Sequence, residues 1–160
     1  MKKATESLPP MDELLKGEAF RSFRTLMDLM PQIVWVADSR AQAVYCNSAV
    51  FAFTGKKQAE LIDKGWHAII HSDDVDKLVE AWAASIAGKA ESLLEFRTLS
   101  AAGDYEWFKM TRGPFGVLGF ADLWFGVAEN INASRVHEQL LEARVRERTA
   151  ELERVNQELL

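Results

Sequence analysis

A single cysteine, Cys46, stands in the 160-residue chain, so no internal disulfide can form. That scarcity suits a reducing compartment, and a cytoplasmic location is expected. Histidine is nearly as scarce, with three residues. His67 and His71 lie four apart, but no third ligand stands near them, so no metal site is expected. Nothing approaches the run of about 18 apolar residues that a membrane span needs. The N-terminus, MKKATESLPPMDELLKG, has no apolar stretch of the kind a secretory signal carries. Positive charge is in deficit, with 19 Lys and Arg against 24 Asp and Glu, a net charge of -5. Such a surface repels phosphate backbones and anionic lipid, so neither nucleic acid nor membrane is an expected partner of these residues. There is no glycine-rich phosphate loop, no G-x-S-x-G and no H-E-x-x-H. No catalytic residue nominates itself, and the chain is not expected to be an enzyme.

What is present is punctuated. Residues 1–18 are polar, carry Pro9-Pro10 and read as a flexible lead-in. Over 19–31 the chain places Phe20, Phe23, Met27 and Met30 on one face of an amphipathic helix, with Pro31 as its stop. QIVWVAD (32–38) and AVYCN (43–47) read as two strands of a hairpin around Ser39-Arg40. Short helical pieces follow. NSAVFAFTG has Asn47 or Ser48 as a candidate N-cap and Gly55 as a stop, and KKQAELIDKG and WHAIIH come after it. Residues 73–88 form the clearest internal helix: Asp73 and Asp74 suit its positive end, and Val75, Leu78, Val79, Trp82 and Ile86 share a face. Three strand-like runs, 92–100, 105–113 and 120–130, are joined by turns at 101–104 and around Gly116 and Gly119. Strands joined by short turns imply an antiparallel sheet. From 131 to 160 there is neither Gly nor Pro, and the pattern becomes that of one long helix.

These residues, in this order, resemble the PAS family in the variant with an extended C-terminal motif. Tyr45, Asn47, Ala49, Thr54 and Gly55 fit its Y-x-N-x-A-F-x-x-x-T-G segment, with Val50 and Phe51 near the aromatic slot. Glu60-Leu61, then His71, Asp73 and Asp74, then Glu95-Phe96-Arg97, then Gly103, Trp107 and Phe108 continue the match. Gly126 to Asn132 stands where the family reads G-x-x-x-D-I-T, with Asn130 and Asn132 in place of aspartate and threonine at the strand-to-helix junction. The resemblance covers roughly residues 20–132. It implies an α+β PAS fold over 32–130: a five-stranded antiparallel sheet flanked by short helices, with the N-terminal helix before it and the long helix after it. The tail resembles the connector between such a domain and a histidine kinase core.

The resemblance also implies where a ligand would lie, between the sheet and the long internal helix. The expected wall is Trp66, Leu78, Trp82, Phe96, Phe108 and Phe125, with the Trp82 indole N–H offered to a ligand acceptor. Packed core is the competing reading of the same aromatics. The cofactor is left open. Haem is disfavoured because residues 75–88 hold no histidine. Light-reactive flavin is disfavoured because Cys46 precedes a strand-end asparagine and has no G-x-N-C-R-F-L-Q segment around it.

In the tail, Leu141, Val145, Arg148, Leu152, Val155 and Leu159 alternate at spacings of four and three, a heptad seam broken by Arg148. A 3.5-residue repeat implies an identical partner stripe, hence a parallel coiled-coil homodimer over 131–160. The competing reading is a helix lying back on its own domain. The expected function is a sensory input module that passes ligand or partner state to an effector beyond these residues, by family habit a histidine kinase. A ligand-free docking module and a sensor for a cyclase or phosphodiesterase remain open beside it.

Overall fold

The computed structural model describes residues 16–61, 65–88, 90–115 and 122–158. Most of the lead-in, the turn around Gly116 and Gly119, and Leu159 lie outside the described residues. Helix α1 is Glu18–Met27. Strand β1 (Ile33–Asp38) and strand β2 (Ala43–Cys46) follow as an antiparallel pair. Asp38 makes their turn: its Oδ1 accepts from the Arg40 and Gln42 N–H groups, each at 2.9 Å. Helix α2 is Ser48–Thr54, and Gly55 closes it at φ 68°, where a side chain would be strained. Helix α3 (Gln58–Leu61) and a 3₁₀ turn (Gly65–Ile69) lead into helix α4 (Ser72–Gly88). Strands β3 (Ser92–Leu99), β4 (Tyr105–Pro114) and β5 (Leu123–Asn130) complete the sheet, and helix α5 (Asn132–Glu158) leaves it. The spatial order is β2-β1-β5-β4-β3, with every described pairing antiparallel.

Each face of the sheet carries its own apolar cluster. On the inner face Ile33, Phe96, Phe108, Met110 and Ala128 meet Val50, Leu61, Ile69, Ile70 and Leu78 from the short helices and α4. On the outer face Val34, Val36, Tyr45 and Leu123 meet Phe20 of α1, with Phe23, Met27, Phe115 and Phe125 around them. The phenyl rings of Phe23 and Phe125 lie 6.0 Å apart. Burial of this kind is worth about 1.5–3 kcal/mol per large apolar side chain.

Two helices differ from the sequence expectation. The regular part of α1 ends at Met27, short of Pro31. Leu29 and Met30 instead make bonds to the third residue back, the tightening a helix undergoes before a proline. Asp28, freed at that end, accepts from the Ser48 N–H at 2.9 Å and the Tyr45 hydroxyl at 3.1 Å. Helix α4 is rolled from its expected face: Val79 is 45% exposed while Asp74 and Ser85 are buried. Asp74 turns inward because Arg97 on β3 needs it. Its carboxylate accepts from the Arg97 Nε at 2.9 Å, Nη2 at 3.0 Å and backbone N–H at 2.8 Å. His71 donates its backbone N–H to the Arg97 carbonyl at 3.0 Å, so the open edge of β3 is covered. Hydrogen bonding by Arg97 holds the Asp74 carboxyl below its ordinary range. The stability this contributes is present at neutral pH and is lost as pH falls through that lowered pKa.

Asn47 occupies the N-cap position of α2, but its side chain makes no capping bond there. It is fully buried, and its Oδ1 accepts from the Val34 N–H at 2.9 Å while its Nδ2 donates to the Met27 and Gln32 carbonyls, each at 2.9 Å. One amide thus ties α1, the approach to β1 and the end of β2. Asn47→Ala should leave three backbone groups short of partners and cost about 2–4 kcal/mol. A urea titration measures it. A loss below about 1 kcal/mol would show that water replaces the amide.

Candidate functional site

Strand alternation decides what faces α4. On β1, Ile33, Trp35 and Ala37 point inward; on β4, Phe108, Met110 and Arg112 do so; on β5, Ala128 does. The pairing of β1 with β2 shifts register between Val36 and Ala37, so that Ala43 and Cys46 both reach the inner side. Between this surface and α4 lies a cavity of about 130 Å³, whose wall is completed by Leu61, Trp66, Ile69, Leu78 and Trp82.

Trp66, Leu78, Trp82, Phe96 and Phe108 all line that cavity. Phe125 does not. It belongs to the outer cluster, 5.8 Å from the Phe115 ring, because odd-numbered residues of β5 face α1. The Trp82 indole is also not free: its Nε1 donates to the Ser39 carbonyl at 3.4 Å, tying α4 to the β1–β2 turn. Trp82 lies 5.8 Å from the ring of Trp35 and 5.6 Å from that of Trp124. Gly126 makes room for this arrangement, since a Cβ there would stand 2.3 Å from the Trp35 indole.

The sequence reading overlooked Arg112. Its guanidinium stands 5.0 Å over the Trp82 ring, and its Nε donates to the Ser92 hydroxyl at 2.9 Å. The signal was present in β4, where Phe108, Met110 and Arg112 share parity.

Cys46 lines the cavity from β2. Burial pushes its thiol up to about 11. His71 serves the N-terminus of α4, its Nδ1 accepting from the Asp73 N–H at 3.2 Å. Among the described residues no group of three His, Cys, Asp or Glu could hold a metal ion.

The junction to α5 draws on both faces of these strands, with Trp107 and Glu95 on the side opposite the cavity. Asn130 donates to Glu106 at 2.7 Å and accepts from the Asn132 N–H at 2.9 Å, serving the helix from just outside its cap. Ile131 donates to the Trp107 carbonyl at 2.8 Å. Arg135 stacks 4.1 Å over the Trp107 ring and pairs with Glu95 at 2.9 Å. Arg97 stands 5.1 Å from the same ring. Farther along, Leu141, Val145, Leu152 and Val155 are exposed, and Arg148 bonds Glu151 at 2.9 Å. Among the described residues no helix is long and apolar enough to cross a membrane.

Residues 43–116 match a family model described as the PAS fold. Over 125 residues the chain is 30% identical to the uncharacterized protein y4lL of Sinorhizobium fredii strain NGR234, covering 77% of this chain and 15% of that protein. The chain thus spans about a seventh of the length of that relative. Among solved structures, the PAS domain of a protein from Colwellia psychrerythraea superposes with a TM-score of 0.60 at 14% identity, covering 72% of this chain and 99% of that one. An RNA-binding light-oxygen-voltage receptor superposes at 0.63 with 20% identity, covering 90% of this chain and 40% of that one.

The chemistry of the lone thiol follows from its place in the wall. With its pKa raised to about 11, Cys46 should be only about one-thousandth thiolate at pH 8. Alkylation by iodoacetamide should therefore be at least tenfold slower in the native chain than in urea, and should accelerate as pH rises toward 11. Equal rates in both states would show the thiol open to solvent.

Proposed function

Because the chain carries a PAS fold, we propose that it is a sensory input module, in which the state of the inner cavity sets the state of α5. The observation that carries this reading is a pair of adjacencies. Phe96 and Phe108 line the cavity, while their neighbours Glu95 and Trp107 hold Arg135 of α5 on the other face. A displacement of either phenyl ring is thereby a displacement of the α5 anchor. A second link runs from α4, where Asp74 grips Arg97, whose guanidinium lies against Trp107. For a ligand to signal, it must bind two arrangements of this junction unequally.

In this reading α5 is a connector. Its exposed seam of Leu141, Val145, Leu152 and Val155 pairs with that of a second copy in a parallel coiled coil. The effector it drives is a histidine kinase by the resemblance of the tail, with a cyclase or phosphodiesterase as the other output. The chain itself performs no catalysis.

A flavin is disfavoured as the occupant in this reading. An engineered void of about 150 Å³ accommodates one benzene ring, whereas the cavity has about 130 Å³ and a flavin head has three fused rings. The sensed species is small.

Two measurements test the module. Arg135→Ala removes an ion pair and a cation–π contact, each worth about 0.5–1 kcal/mol. Amide exchange over residues 132–138 should rise roughly tenfold while β1 and β5 keep their protection. Unchanged exchange at the base of α5 would remove the junction from the mechanism. Leu152→Asp places a charge in the seam and should cost several kcal/mol per dimer. Sedimentation should show a dimer for the native chain and a monomer for the variant; a dimer in both would place the contact elsewhere.

A further inference from the structure

Arg112 does not belong to an apolar wall on packing grounds. It is 4% exposed, and its Nη2 is out of water with no hydrogen-bond partner. It is the one charged residue among the described residues that line the cavity, and no carboxylate pairs with it there. Burial lowers its pKa to about 10, so it is a cation at neutral pH. A buried cation without a counter-ion opposes folding, and an apolar side chain of similar length would pack in its place at less cost. The fold nevertheless directs Arg112 inward, beside a space that protein atoms leave empty.

We propose that the cavity binds a small monocarboxylate, with the carboxylate paired to Arg112 and the apolar body against Leu78, Phe96, Phe108 and Met110. Three features select this class. A single cation matches a single negative charge, whereas a phosphate dianion would call for a second, and Arg112 is the one charged residue among the described residues of this wall. The unpaired Nη2 of Arg112 is a charged donor that a carboxylate oxygen accepts from. The volume near 130 Å³ limits the acid to about five to seven carbons. Arg112 also stacks on Trp82 of α4, so an acid that engages it acts on the helix whose Asp74 holds Arg97. The inference rests on the sensory reading and names the chemistry of what is sensed.

The test uses the full chain with benzoate, its neutral isostere benzamide, hexanoate and inorganic phosphate, followed by calorimetry and thermal melting. Benzoate and hexanoate should raise the melting temperature, and benzoate should bind at least tenfold more tightly than benzamide. Arg112→Met should melt higher than the ligand-free native chain and should lose the preference for benzoate. Arg112→Gln, which keeps a donor for Ser92, serves the same comparison if the methionine variant fails to fold. Equal binding of benzoate and benzamide would overturn the proposal and leave a neutral-ligand sensor standing. Tighter binding of phosphate, or a benzoate preference that survives in both variants, would overturn it as well. Failure of every probe would also overturn it, while the exchange measurement at the base of α5, which needs no ligand, would separately decide the sensory reading.

Discussion

Strand side chains alternate, and β1 and β5 carry apolar clusters on both faces, so each of them must satisfy two different neighbours with every second residue. On β1, Val34 and Val36 serve α1 while Ile33, Trp35 and Ala37 serve the cavity. On β4, Phe108, Met110 and Arg112 line the cavity while Trp107 holds α5. A one-residue slip of either strand would exchange these roles throughout. The same constraint makes the residues that line the cavity and those that anchor the outgoing helix sequence neighbours.

Polar groups inside this frame divide into satisfied and waiting. Asn47 spends its amide on three backbone partners, and Asp74 spends its carboxylate on three donors of Arg97. Such groups fix the placement of α1 and α4 because no other arrangement pairs them equally well. Arg112 is different in kind: one donor is used on Ser92 and another has no partner. A buried donor left unpaired weakens the ligand-free state and strengthens binding of whatever supplies the acceptor.

Trp107 joins these parts. It lies between Arg97, fixed from α4, and Arg135, fixed to α5. Neither contact is strong alone, being partly exposed. A stronger anchor would hold α5 in one state whatever the cavity contained.

Much of the architecture was legible in the sequence, for a local reason. Period-two runs such as IVWVAD and period-3.6 runs such as 73–88 declare strand and helix within a few residues, and Gly55 declares a stop because its φ of 68° suits glycine. The ordered motifs then supported the PAS fold, and five of the six wall residues were placed on the cavity side. Phe125 went to the wrong face because parity becomes inward or outward only once the neighbouring strand has been paired and the helices packed. The roll of α4 toward Asp74, the use of the Asn47 side chain as a bracket, and the end of α1 at Met27 were hidden for a related reason. Each is decided by a partner 15 or more residues away: Arg97 for Asp74, Gln32 and Met27 for Asn47, Ser48 for Asp28. Arg112 shows the limit most clearly. Its charge is written in the sequence, but whether that charge meets water, a carboxylate or an empty cavity is a property of the folded chain, because burial and pairing arise from contacts that tertiary structure alone assembles.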